Sequence, residues 1–334
     1  MFRLAQEQVK PTEAGIIKAI VQSIIVDQVK AHKPGTVARR DVHAFSHGTV
    51  EGVFTVLSGL PAEYAVGLFA EPRSYDTLIR FSNGTPNSMA DILPNVRGIA
   101  LKLKGVTGKK LLNGQEDSDS ADFLMANNQT FFIADVEDYV PVHDLVGKNS
   151  FIQLFRQYPA DTKRLLASLF KLVKNPLTTA YYSQSPYLFG EGKAVKYALI
   201  PTELSPTLSF PNVFDKEYLM HAVEKTLRNR STRFTFCVQL QTESDPIEDP
   251  TVQWSGPFVA LATLDIKQRG NVPLLESSGE ALSFNPWRVT AEHRPLGWAN
   301  RLRQLVYKSD FEWRDGVNAS QNQPKGNGCP FHRS

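Results

Sequence analysis

Two sets of strand-length segments, parted by a long helical stretch, constrain this chain more than any other feature. The first set covers 43–57, 78–82, 98–104, 123–126 and 130–134; the second covers 194–200, 233–242 and 258–268. Within them apolar and polar residues alternate at the period of a strand. Ile99, Leu101 and Leu103, for example, interleave with Ala100, Lys102 and Lys104, which predicts one wet face. Between the sets, roughly 136–175 reads as helical, with the apolar runs Phe151-Ile152-Gln153-Leu154-Phe155 and Leu165-Leu166-Ala167-Ser168-Leu169-Phe170. Further helices are expected at 215–228 and at about 296–307. About eight strands with clustered helices predict an α+β fold, an antiparallel eight-stranded β-barrel with helices added to it.

Residues 13–31 place Ile16, Ile17, Ile20, Ile24 and Ile25 on one helical face. That face suits packing on the rest of the fold, or on a second copy in a homodimer. The expected organisation is a helical arm at 1–36, a barrel domain at 37–315 and a polar tail at 316–334.

Composition narrows the function. Of 334 residues, 42% are hydrophobic and 21% charged, as in soluble globular proteins. A net charge of +3 on 37 basic and 34 acidic residues leaves no nucleic-acid surface. The stretch 15–26 is interrupted by Lys18 and Gln22, too polar to span a bilayer. Two distant cysteines, Cys237 and Cys329, make no disulfide framework, and the N-terminus lacks a secretory pattern; both point to the cytoplasm. Phosphate loops, Gly-x-Ser-x-Gly and Cys-x-x-Cys are absent from the sequence. His43 and His47 have no third ligand nearby to make a metal site. Gly328-Cys329-Pro330-Phe331-His332 reads as a disordered tail.

Four segments carry chemistry. Arg303-Gln304-Leu305-Val306-Tyr307 holds the one Arg-x-x-x-Tyr of the chain. On a helix these two side chains sit one turn apart, and a neighbouring cation favours a phenolate over a phenol. Arg40-Asp41-Val42-His43-Ala44 offers an imidazole able to take a proton and return it. Leu78-Ile79-Arg80-Phe81-Ser82 leads to Asn95-Val96-Arg97-Gly98-Ile99-Ala100-Leu101-Lys102, and Asn127-Asn128-Gln129-Thr130-Phe131-Phe132-Ile133-Ala134-Asp135 follows. Alone, each suits an ordinary core or turn.

Their order is informative. A Val-His-Ala segment, an Arg-Phe-Ser strand, an Arg-Gly-x-Ala-x-Lys strand, an Asn-Asn…Phe-Phe-Ile-x-Asp segment and a late Arg-x-x-x-Tyr helix together resemble the haem-binding core of the catalase family. Residues 37–140 resemble it well and 190–315 more loosely, with Ala194-Val195-Lys196-Tyr197 and Asp249-Pro250-Thr251-Val252-Gln253-Trp254 in support. The resemblance implies haem b as cofactor, with Tyr307 as the axial tyrosinate on iron and Arg303 beside it. It implies His43 as the distal acid–base residue working through a ferryl intermediate, with Ser82 fixing its tautomer. Asn127, or alternatively Asn128, is the implied distal asparagine, because the spacing to Phe131-Phe132 is one residue shorter than in large catalases. Phe131 and Phe132 match aromatics near the haem face. Arg40, Arg80 and Arg314 match partners of the haem propionates. Tyr139 stands where large catalases carry phenylalanine.

The chain ends at Ser334, soon after Tyr307, where large catalases continue into a helical domain. That departure resembles the minimal catalase-related peroxidases. It implies reduction of hydrogen peroxide or organic hydroperoxides by a small-molecule electron donor, with weak dismutation and a place in the response to oxidative stress. Val42 before the histidine matches true catalases, whereas allene oxide synthases tend to have threonine there. Two alternatives remain: a fatty-acid hydroperoxide lyase or isomerase, and a non-catalytic haem-binding protein.

Overall fold

The computed structural model describes residues 2–41, 43–85, 90–148, 150–202, 214–274 and 281–322. Val42 and the Cys329 tail lie outside the described residues.

Among the described residues, nine strands run β1 (Ser46–Val56), β2 (Ser74–Asn83), β3 (Arg97–Lys104), β4 (Ser120–Ala126), β5 (Tyr181–Tyr182), β6 (Tyr187–Leu188), β7 (Ala194–Pro201), β8 (Thr232–Leu240) and β9 (Phe258–Ile266). All pairings are antiparallel, in the order β5-β4-β3-β2-β1-β9-β8-β7-β6. The two-residue β5 also pairs with β7, through Tyr181 with Leu199 and Tyr182 with Ala198, so eight strands close into a barrel and β6 hangs from its edge. Closure leaves those strands no free edge to pair with another chain.

Aromatic side chains fill the barrel. The ring of Phe54 lies 5.1 Å from that of Phe236, and Phe123 lies 5.2 Å from Tyr197, with Ile79, Leu101, Val238 and Leu264 around them at 0% exposure. The interior is therefore a packed core, and any large site must lie outside the barrel wall.

Six helices occur among the described residues: α1 (Glu13–Ala31), α2 (Val136–Gly147), α3 (Phe151–Gln157), α4 (Pro159–Leu169), α5 (Tyr218–Asn229) and α6 (Trp298–Asn322). A second apolar cluster joins α1 through Ile17, Ile20 and Ile24 to α2, to Leu154 of α3, to Leu165 of α4 and to Trp298, Leu302 and Val306 of α6. The isoleucine face of α1 thus packs within its own chain. Arg301 clamps the arm to α6, pairing with Glu7, with Glu13 at the head of α1 (Nη2 to Oε2 2.8 Å), and with Glu248 at 2.9 Å.

Three expectations are corrected. Residues 130–134 form no strand: the Phe131 N–H donates to the Pro250 carbonyl, and the Thr130 and Phe132 carbonyls accept from Gln184 and Arg164, so no neighbouring strand is available. The last helix does not stop near Tyr307. It runs to Asn322 because Trp313 packs edge-on to His32 and Asn318 exchanges hydrogen bonds with the Ala38 backbone. Lys102 is not on a wet face: it is buried, 2.7 Å from Asp122 and 5.3 Å above the Phe284 ring.

Candidate active site

The outer faces of β2, β3 and β4 make one wall of a cavity. Residues two apart on a strand share a face, and register sets two rows across the three strands. Ser82, Gly98 and Ala126 form one row; Arg80, Ala100 and Leu124 form the next. All six line the cavity. Small side chains in the first row keep the wall flat.

The opposite wall is α6. Ala299, Leu302, Arg303, Val306, Tyr307, Asp310, Phe311 and Arg314 recur at helical spacing and all face the cavity. Phe131, Tyr139 of α2 and Gln184 complete the ring, and the empty space with its open mouth measures about 1200 Å³. Among the sequence-predicted site residues, Arg40, His43, Arg80, Ser82, Phe131, Arg303, Tyr307 and Arg314 all meet here.

His43 does not open β1. It sits three residues earlier in a turn with φ +58, a left-handed conformation disfavoured for a side chain with a Cβ. Arg80 holds that turn, donating from Nη1 to the His43 carbonyl at 2.8 Å and from Nη2 to that of Ala44 at 3.2 Å. The His43 Nδ1 lies 3.1 Å from Ser82 Oγ. Burial, with Arg80, Arg303 and Arg40 adding positive charge nearby, pushes the imidazole down to about 3, so it is neutral at physiological pH. Gln184 is also left-handed, at φ +62. Two of the three described non-glycine residues at positive φ therefore lie in this wall, as expected where strain is held at a functional site.

Gly98 makes room for the imidazole. A Cβ there would lie 2.4 Å from His43 Cε1 and 2.5 Å from Nδ1. Gly98→Ala is expected to tilt the ring and cost about 10²-fold in any reaction that uses it, with the fold kept. An imidazole resonance unchanged from the parent protein would show that the ring needs no such seat.

On α6, the Arg303 guanidinium lies 5.7 Å from the Tyr307 ring centroid, donates to Asn300 Oδ1 at 3.1 Å and to the Leu124 carbonyl at 3.3 Å, and has the Tyr307 and Tyr187 phenols nearby. Burial works against its charge, but those two phenols outweigh burial and raise its affinity for the proton. Tyr139 is pushed up to about 12 by burial, with Asp41 and Tyr307 nearby, and stays a phenol. Arg40 and Arg314 converge on the Leu282 carbonyl at 2.8 and 3.3 Å. Asp310, against both arginines and hydrogen-bonded by the Asp41 N–H, has its affinity for a proton raised by burial.

Other expected residues stand back from the cavity. Phe132 packs behind Phe131 at 4.5 Å between ring centroids and does not line it. Asn127 is wholly buried; its Oδ1 accepts from the Arg97 N–H at 2.9 Å, and its Nδ2 has no partner among the described residues. Neither Asn127 nor Asn128 lines the cavity. His47 turns away to Asn83, 2.7 Å from its Oδ1. No cluster of His, Cys, Asp or Glu able to hold a metal occurs among the described residues. The sequence offered no signal for Gln184 or Asp310, whereas Trp298 and Gly98 stood in segments already noted.

The donor set fits a haem. A flat slot with small residues on one side is flanked by a phenol, a neutral imidazole and three arginines, and the glycine cradle already seats the imidazole. Anionic oxygen ligation and cationic partners for two carboxylates are both available.

The fold is that of the catalases. The chain superposes on a bacterial catalase with a TM-score of 0.65 at 15% identity, and on a fungal catalase with 0.62 at 14%. These alignments cover 97% and 96% of this chain but 66% of each catalase. A scan against protein-family models finds no match. In sequence, the chain is 27% identical over 273 residues to a catalase-related peroxidase of Mycolicibacterium paratuberculosis (strain ATCC BAA-968 / K-10), covering 78% of this chain and 86% of that protein. The chain thus has a catalase-like fold, and in sequence it is similar to a catalase-related peroxidase.

Proposed function

We propose that this protein is a haem-dependent peroxidase that reduces hydrogen peroxide or organic hydroperoxides with electrons from a small-molecule donor. The observation that carries the reading is the cavity lined in common by His43 and Tyr307, with Arg40, Arg80 and Arg314 also in its lining. When bound, haem supplies an iron centre that exchanges electrons with peroxide and donor.

Tyr307 would hold the group through its phenol oxygen, with the Arg303 charge beside that oxygen. Arg40, Arg80 and Arg314 would hold its carboxylates. His43, already neutral, would accept a proton from one peroxide oxygen and deliver it to the other as the O–O bond parts. Ser82 fixes the orientation of the ring through Nδ1 and leaves Nε2 for this work. Tyr139 keeps its proton and contributes a hydroxyl to the wall.

Haem-loaded protein assayed with hydrogen peroxide, cumene hydroperoxide and a fatty-acid hydroperoxide, with and without a dye donor, tests the proposal, peroxide consumption being measured directly and oxygen release at an electrode. Donor-dependent consumption with little oxygen release is expected. Consumption without donor that yields rearranged lipid would point instead to an isomerase, and no consumption at all would remove the proposal. Tyr307→Phe is expected to shift the ferric Soret band and lower turnover by about 100-fold or more, beyond what outer-shell changes cost. A spectrum identical to that of the parent protein would exclude Tyr307 as the ligand.

A further inference from the structure

The layer formed by α3, α4 and the segment after them leaves large apolar side chains in solvent. Ile152 is 73% exposed, Phe170 68%, Phe155 61% and Leu172 52%. Leu154 and Leu165, on the other faces of the same helices, are buried in the second apolar cluster. Both helices are thus apolar on two sides, and the outer side has no covering within the described chain. Single exposed apolar residues are ordinary, but several large ones gathered on two successive helices and the segment after them mark a candidate interaction surface.

Charge indicates what meets it. Within residues 148–174, Lys148 pairs with Asp144 of α2 at 3.1 Å and Arg164 with the buried Asp161, and Arg156, Lys163, Lys171 and Lys174 face no other carboxylate in this stretch of sequence. The whole chain carries only +3. Lys163, Leu166 and Phe170 lie three and four residues apart and share the outer stripe of α4, while Arg156 follows Phe155 on α3. Aromatic and aliphatic side chains beside exposed cations match the boundary between acyl chains and anionic headgroups. A second copy is a poor occupant, because a two-fold contact would set this cationic face against itself.

We propose that the outer face of α3 and α4 docks on an anionic lipid surface. The docking is interfacial: no helix among the described residues is long and apolar enough to cross a membrane. The docked layer is tied to the cavity wall. Arg164 donates to the Phe132 carbonyl at 3.1 Å, Lys171 to that of Asn127 at 2.6 Å, and Asn128 to that of Ser168 at 3.4 Å, while Phe131 lines the cavity itself. Hydroperoxides of membrane lipids become the substrate class, a consequence that rests on the peroxidase reading; the docking does not.

Sedimentation of the full chain with vesicles tests it. The protein is expected to bind vesicles of phosphatidylglycerol mixed with phosphatidylcholine, to be released by high salt, and to bind pure phosphatidylcholine weakly. Phe155→Ser and Phe170→Ser are each expected to weaken vesicle affinity about tenfold, as lost apolar burial requires. Lys163→Glu is expected to weaken binding to the anionic vesicles alone. All three changes lie on the exposed face, so thermal unfolding and the reduction of water-soluble cumene hydroperoxide should match the parent protein. Absent vesicle binding, or binding that survives the two Phe→Ser changes, would overturn the proposal. So would a dimer in vesicle-free solution that those changes dissociate. Loss of peroxidase activity in the parent protein with vesicle binding intact would overturn only the function proposed above.

Discussion

Replacing His43 by alanine is expected to lower kcat/KM for hydrogen peroxide by about 10²–10⁴-fold while the haem-loaded protein keeps its Soret band. The side chain is held by Ser82, seated on Gly98 and carried by a left-handed turn that Arg80 supports. None of these contacts is needed to keep the barrel closed, so the loss should fall on turnover and not on folding. Added imidazole should restore part of the rate. A variant as fast as the parent would place proton transfer elsewhere.

The same residue predicts the pH profile. An ordinary histidine loses half its base form at its usual value of 6.5, but His43 is held down to about 3. The peroxide step should therefore show no inflection from this residue near pH 6.5. For stability the sign follows from proton uptake. Below 6.5 the unfolded chain binds the proton and the native one does not, so the contribution of His43 is full above that value. It is then lost as the pH falls towards 3. A histidine inflection near 6.5 in the peroxide step, abolished in the alanine variant, would contradict this.

Asp122→Ala is expected to destabilise the protein by about 3–5 kcal/mol, the usual cost of removing one partner from a buried charge network. Asp122 is 0% exposed and accepts from Lys102, from the Arg288 guanidinium and from the Asn285 N–H at 2.9 Å. Removing it leaves two buried cations, Lys102 on β3 and Arg288 in the segment before α6, without the carboxylate between them. Arg288 keeps Gln115 and Ser283, whereas the Lys102 ammonium loses its counterion. Urea unfolding of parent and variant measures the difference, and a change below about 1 kcal/mol would mean that water replaces the carboxylate.

Much of the architecture was readable along the chain. Seven long strands and the helices α1 and α5 declared themselves because alternation and helical spacing are local properties of ten or more residues. The strand that closes the barrel did not. Tyr181–Tyr182 is two residues long, too short to carry a period, and it exists only because β4 and β7 arrive on either side of it. Residues 130–134 misled in the opposite direction: their apolar composition suits a strand, but no edge is left for them to pair with. Lys102 misled too, since a lysine in an alternating pattern ordinarily marks solvent, and its counterion comes from the next strand.

The candidate site shows the same division. The residue types came from the sequence, with Arg40, His43, Arg80, Ser82, Phe131, Arg303, Tyr307 and Arg314 all noted before any fold was known. Gln184 and Asp310 had no local signature. Asn127 had one, yet its amide oxygen is taken by the Arg97 backbone.

By itself, then, the sequence determined which elements form and which side chains carry chemistry, because both depend on neighbours within a few residues. Only the tertiary structure decided which surface of each element meets a partner. It put the cavity on the outer side of β2, β3 and β4, where alternation would have placed water, and it left Phe155 and Phe170 in solvent, where helical periodicity would have placed a core. Burial is a property of what packs against a face, and residues hundreds of positions away supply it.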